Sequence, residues 1–489
     1  TGCGGSVAKN ESRDGSLGSD TSISPGISDA GLFDDGGFHA QNDGDGASST
    51  CPAGAPLGCY VDNNCPMHGE TTLTGTVYDP AGRNPVYSAV VFVPNDPDPT
   101  HLPTIMTGAR ACSPCDTSIG DFVTYAFTDA AGHFKLTGVP TGDNVPLVVQ
   151  IGKWRRVVTV PMVSDCATTA VPSELTRLPR NQNEGDLPQM ALLTGGCDNL
   201  ACFLRSVGID ASEFSAPHDG GRVDVYQGLG AAGTGAPLAS GVAGDCTTAA
   251  CPLWSSTGSL QSYDAILLGC ECSENNQTKP ASSFVAMHDY LDQGGTVFAT
   301  HSQATWFKNG PADFQGVVSW TDGPASGAAG PFVVDSTFQK GQTFQEWLAT
   351  VGAATSAGLI PLAAADVSTT VTTVSAEKAT RWIYDESPVA DGGGSISDNV
   401  KALSFRAPTV FPDASESEAY CGTAYFVDIH AGGGQPPLDA NGTPAAVPTA
   451  CDGGPMTAEE KALEFLFFNQ PTCATTLPPK GPPPPPPPL

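Results

Sequence analysis

The chain has 489 residues, 40% of them apolar and 15% charged, which is enough length for several domains with real cores. No unbroken apolar stretch approaches the roughly 20 residues that a spanning helix needs, which excludes an integral membrane protein. With 51 acidic against 21 basic residues and a net charge of −30, the chain lacks the cationic surface that phosphate contacts demand, so a nucleic-acid role is excluded too.

Thr1-Gly2-Cys3-Gly4-Gly5-Ser6 opens the sequence. A small residue, a cysteine and a Gly/Ser tether resemble the end of a bacterial lipobox, and that resemblance implies a lipid on Cys3 as the expected membrane attachment. Residues 1–69 are rich in Gly, Ser, Asp and Asn; they bury too little to offset ordering entropy, and a flexible stalk is predicted. Asn42-Asp43-Gly44-Asp45-Gly46 looks like part of a calcium loop but lacks the distal Glu and flanking helices, so it reads as solvated linker. Cys51, Cys59 and Cys65 are expected to staple a small segment at the edge of the first folded domain.

Residues 70–165 switch to short strands and turns. Thr72–Asp79 alternates with a period of two and ends at Pro80-Ala81-Gly82; Ala89–Val93 is a strand; Phe127–Leu136 reads strand, turn, strand; Pro146–Ile151 and Arg155–Val160 follow. Five or more such strands predict an antiparallel β-sandwich. The run GTVYDPAG…PVYSAVVFVP…TDAAGHFKLTGVP resembles the carboxypeptidase regulatory-like domain, a small transthyretin-like sandwich. That resemblance implies a spacer or interaction module without catalytic residues. The insertion from Pro94 to Gly120, carrying Cys112 and Cys115, exceeds ordinary loop length and is a candidate binding surface.

After a polar linker at 166–187, residues 188–470 alternate strands and helices. Gln189–Gly196 is a buried strand leading into a helix over Asn199–Gly208. Val223–Tyr226, Tyr263–Gly269 and Thr296–Thr300 are further strands, and Phe284–Leu291 is an amphipathic helix. Phe344–Ala349 reads as helix, while Thr380–Tyr384 and Thr423–His430 read as strands. Thr457 and Glu460 form a capping box before the apolar helix that contains Leu463 and Phe468. Strands apolar enough to be buried on both faces predict a doubly wound α/β sheet. Residues 471–489 end in a polyproline II tail.

Among the chain's 16 cysteines, Cys112/Cys115, Cys197/Cys202, Cys246/Cys251 and Cys270/Cys272 lie close in sequence. Cys112-Ser113-Pro114-Cys115 has no second CxxC to complete a zinc ribbon, and disulfides in an oxidising extracellular compartment are the expectation. The sequence leaves the connectivity open. If Cys3 carries a lipid, an odd number remains and at least one thiol is free or intermolecular.

The chemistry falls at strand ends. The order YDAILLG, FVAMHDYLDQGG, TVFATHSQATWF and AYFVDIHAGGG resembles the class I glutamine amidotransferase-like fold, a flavodoxin-like sheet, and within it the ThuA-like (trehalose-utilisation) branch. The resemblance places Gly294-Gly295 and His301-Ser302 where true amidotransferases carry a cysteine elbow, so glutaminase activity is not expected. Glu271, His301, Ser302, Asp428 and His430 all sit at strand ends and are expected to converge in the crevice where open α/β sheets bind ligands. They are candidates for an acid–base or divalent-metal site, or for hydrogen-bonded residues of a site that has lost activity. Trp306, Phe307 and Trp320 are read as core. The first functional expectation is a non-catalytic structural, adhesive or self-assembling component of the bacterial cell surface. The alternative is a carbohydrate-directed enzyme or sugar-binding protein using the pocket around His301 and His430.

Overall fold

The computed structural model describes residues 51–52, 54–109, 119–230, 244–320, 330–362, 370–374, 377–386, 390–391, 394–395, 399–409, 421–431, 451 and 454–469. These all fall in one compact unit, Gly37–Leu489, and the first unit, Thr1–Gly36, lies outside the described residues. So do Cys3, most of the expected stalk, Cys112, Cys115 and the proline-rich tail.

Seven strands come first: β1 (Thr72–Thr76), β2 (Val90–Pro94), β3 (Phe122–Phe127), β4 (His133–Thr137), β5 (Gly142–Ile151), β6 (Trp154–Val163) and β7 (Thr168–Ala170). They form two sheets, ordered β3-β2-β5-β6 and β4-β1-β7. In β4 the alternation is clean: His133 and Lys135 are exposed, while Phe134 and Leu136 are buried. The turn before it is built by Asp129, whose Oδ1 accepts from Ala131 N at 2.9 Å and His133 N at 2.8 Å. Gly132 has φ 73°, and a Cβ there would stand 2.7 Å from the Val77 carbonyl, so the turn requires glycine. The expected all-antiparallel pairing is broken once, because β1 and β7 run parallel. Within the long insertion, Gly108 N donates to Asp264 Oδ1 at 2.8 Å and Ala109 N to Tyr263 O at 3.2 Å. That part packs on the second half of the chain.

A short helix, α1 (Ser173–Thr176), leads to the large sheet. Its first elements are β8 (Met190–Thr194), α2 (Leu200–Val207), β9 (Phe214–Ser215), β10 (Val223–Gln227), β11 (Gly244–Asp245), α3 (Thr257–Leu260) and β12 (Ala265–Leu268). Then come α4 (Ala281–Asp292), β13 (Thr296–Thr300), α5 (Thr305–Lys308), α6 (Ala312–Gln315), β14 (Val318–Trp320), β15 (Phe332–Val334), α7 (Gln339–Thr350), β16 (Leu359–Ile360) and β17 (Val371–Val374). β18 (Ala379–Asp385), the hairpin β19 (Ala390–Asp391) and β20 (Gly394–Ser395), β21 (Val400–Ala407), β22 (Gly422–Val427) and α8 (Ala458–Phe468) complete it. The central strands β10-β8-β12-β13-β22 are parallel, an order of 2-1-3-4-5 along the chain. The stretch between 320 and 420 adds antiparallel β21, β18, β15 and β16 beyond them.

Alternate residues of the parallel strands feed two cores. Leu192, Leu267, Phe298 and Tyr425 face one; Leu193, Leu268, Val297 and Phe426 face the other. The first is continuous with the core of the smaller sheets, taking in Val91, Val149 and Trp154. Helix α8 joins them: Phe465 packs against Tyr87, Phe344 and Trp347, and Phe467 against Trp154, Phe203 and Phe298. Its start is the expected capping box, with both Thr457 and Glu460 bonds present.

Candidate functional site

The parallel strands β8, β12, β13 and β22 end side by side, and the residues that follow them meet there. After β13 the chain turns sharply into a 3-10 turn, His301–Ala304, and then α5. His301 takes the strain of that turn, with φ at 42°, a conformation that costs a non-glycine side chain of order 1–3 kcal/mol. Its ring is 6% exposed. Nδ1 lies 3.3 Å from Asp428 Oδ1, and Nε2 is buried with no hydrogen-bond partner.

His430 follows β22 and stacks on His301, with ring centroids 3.7 Å apart and planes 21° from parallel. Its Nδ1 meets Asp198 Oδ1 at 2.7 Å. Asp198 comes from the turn after β8, Thr194-Gly195-Gly196-Cys197-Asp198-Asn199, and is held on every side. Ala431 N donates to Oδ1 at 3.1 Å, Cys270 N donates to Oδ2 at 3.0 Å, and the Thr300 hydroxyl also donates to Oδ2. Burial alone would raise this carboxyl, but the His430 hydrogen bond, the nearby imidazole charges and Thr300 hold it below the usual carboxylate range. The turn closes tightly enough that a Cβ on Gly195 would fall 2.0 Å from the Cys270 carbonyl, so only glycine fits.

The site therefore contains two carboxylate–imidazole pairs stacked on each other: Asp198–His430 and Asp428–His301. Asp428 is itself oriented by Thr370, whose Oγ1 donates to Oδ1 at 3.1 Å, and by its own N–H on the Lys401 carbonyl at 2.7 Å. The fully buried Lys401 amine is pushed down to about 8 by desolvation, against the pull of Asp428 and Asp385.

Four of the expected site residues, His301, His430, Asp428 and Ser302, lie in or against this cluster. Ser302 Oγ accepts from Glu271 N at 3.2 Å and contacts Cys270 Sγ at 3.3 Å, a bracing role. Glu271 is a correction. Its carboxylate pairs with the fully buried Lys279 amine at 2.6 Å and accepts from Gln303 at 3.2 Å and Leu229 N at 2.7 Å, so it is neutralised in place. Asp198 stands where Glu271 was expected. The strand-end Gly-Gly-Cys-Asp-Asn turn was the signal that could have pointed to it.

The cysteines also depart from their sequence neighbours. Cys246 bonds to Cys251, but Cys197 bonds to Cys272 across the ends of β8 and β12, and Cys202 reaches Cys451. Cys51–Cys59 and Cys65–Cys166 close the first part. Cys270, a disulfide candidate by sequence, is instead a free buried thiol, because Cys272 points to Cys197. Burial, with Asp198 nearby, pushes that thiol up to about 11, so it keeps its proton and is no nucleophile at neutral pH.

Asp198, Cys270 and His430 place one ligand atom each within 4.8 Å of the others. Both Asp198 oxygens are already taken by donors and the thiol is protonated, so this set serves hydrogen bonding better than coordination. Around Asp62 and Asp165, the thiols that would complete a second metal group are joined as the Cys65–Cys166 disulfide. Trp306 and Phe307 are fully buried, as expected of core. The disulfides fit an oxidising, extracellular environment, and no described helix is long and apolar enough to cross a membrane. Comparison with family models, curated proteins and solved structures finds no match to this chain.

Proposed function

We propose that this is an exported protein whose α/β sheet carries an acid–base centre directed at carbohydrate. The observation that carries the reading is His301: a buried ring in left-handed backbone, aligned by Asp428, stacked on a second Asp-aligned histidine, with an unpartnered ring nitrogen. A bracing role gives no account of that combination, because strain and an orphaned polar atom both cost stability. An acid–base role does account for it. Asp428 lies against the His301 ring at Nδ1, which leaves its Nε2 as the working atom, and an imidazole there can accept a proton and give it up again.

Position supports the same reading. The order 2-1-3-4-5 is that of flavodoxin-like doubly wound sheets, whose ligands bind at the carboxyl ends where the strand order reverses. Here that point lies between β8 and β12, the strands that deliver Asp198 and Cys270. The carbohydrate substrate class rests on the likeness of Gly294-Gly295 and His301-Ser302 to the ThuA-like branch; the closing Asp428/His430 strand departs from that branch's strand-ending Gly-His. The test is turnover of an oligosaccharide panel by the full chain and by His430→Ala. Turnover that falls at least about 100-fold in the variant supports the proposal. No turnover of any panel member, or equal turnover by both proteins, favours the non-catalytic surface role.

A further inference from the structure

A cleft of about 330 Å³ opens beside the amino-terminal end of β22, away from the histidine pair at its carboxyl end. Its size falls within the range of about 300–1,000 Å³ typical of small-molecule sites. Among the described residues, Lys340, Lys378 and Arg406 line it against a single acid, Glu377, which reverses the balance of a chain with 51 acidic and 21 basic residues. The half-buried Phe338 supplies an aromatic wall, backed at 5.2 Å by the edge of the buried Trp382.

The three cations differ in how they are held. Lys378 Nζ donates to the Gly316 carbonyl at 2.8 Å, and Arg406 has a partner of its own. Lys340 makes no hydrogen bond or ion pair with a described residue, although desolvation, with Arg406 nearby, pushes its amine down to about 8. It is the second residue of the twelve-residue helix α7, whose N-cap Phe338 offers no side-chain hydrogen bond, so the positive end of the helix adds to its field. A desolvated amine beside a like charge destabilises the fold, and such groups are retained where a ligand supplies the missing counter-charge.

We propose that this cleft binds a ring-borne carboxylate of the kind an acidic sugar residue presents, with Lys340 meeting the carboxylate and Phe338 meeting the ring. One amine without a described partner matches one negative charge, and Phe338 matches the apolar face of a ring better than a bare inorganic ion. The inference is independent of the histidine site, since neither group of residues needs the other.

The test is calorimetric titration of the full chain and its Lys340→Met variant with glucuronate, glucose and inorganic phosphate. Glucuronate should bind the wild-type chain, with glucose and the variant each at least roughly tenfold weaker, the loss expected for one charged hydrogen bond. The variant's melting temperature should hold or rise, because the removed amine has no partner among the described residues. The proposal is overturned if wild type fails to bind glucuronate, if the variant binds it equally, or if glucose or phosphate binds as tightly. A lower melting temperature for the variant would make Lys340 a structural residue and overturn it as well.

Discussion

At the residue scale, the site rests on how few freedoms its side chains keep. Asp198 receives four donors and fixes His430 by one of them, so replacing it changes orientation more than charge alone. Asp198→Asn should leave the fold in place but cut turnover by roughly 100-fold or more, measured on the substrate that the panel identifies. Cys270 gives a second residue-level expectation. Buried and holding its proton, it should resist a thiol reagent in the native protein at neutral pH and react only after denaturation, located by peptide mass spectrometry. His301 and His430 were legible in the sequence because each directly follows an apolar strand. Asp198 was not, since its nearness to them follows from β8 lying beside β12, a pairing that no local pattern states.

At the element scale, most strands and helices were readable from periodicity, and the capping box at Thr457 was readable outright. Thr457→Ala should cost about 1 kcal/mol in chemical denaturation. Phe467 touches Trp154 from the first sheets, Phe203 from α2 and Phe298 from β13, so Phe467→Ala should cost about 3–5 kcal/mol. Periodicity read β18 and β22 as strands but missed β21, which lies between them, and β15 and β16, which are only three and two residues long and too short to show an alternation. Cysteine spacing left the pairing open for a related reason. Cys197 and Cys272 are 75 residues apart but sit on adjacent strand ends, so the sheet order and not the chain brings them together.

At the scale of the whole molecule, the expected linker at 166–187 does not interrupt the core, which runs from the first sheets into the large one through α8. A buried acid pair lies on that junction: Glu464 on α8 beside Asp79, with Asn84 Nδ2 donating to Glu464 Oε2 at 2.6 Å. Burial raises both carboxyls, Glu464 strongly, with Asp79 adding to the rise in Glu464. The native state thus keeps a proton that the unfolded chain releases above roughly pH 4.5, and stability falls as pH rises from there until the native pair ionises. Glu464→Gln removes that loss. Its urea midpoint should match wild type near pH 4 and exceed it at pH 7, and a variant that is weaker at both would show that the charge is not the cost. The large sheet, stiffened by this shared core and by the Cys197–Cys272 disulfide between strand ends, is what holds two imidazoles in contact.

The most direct measurement is chemical rescue of His301→Gly on the identified substrate, with added imidazole. Glycine accepts the left-handed backbone at 301 and leaves room for a free ring, so the folded variant should lose turnover and regain part of it as imidazole is added. A variant that works as well as wild type, or one whose lost turnover imidazole leaves untouched, would contradict an acid–base role for His301.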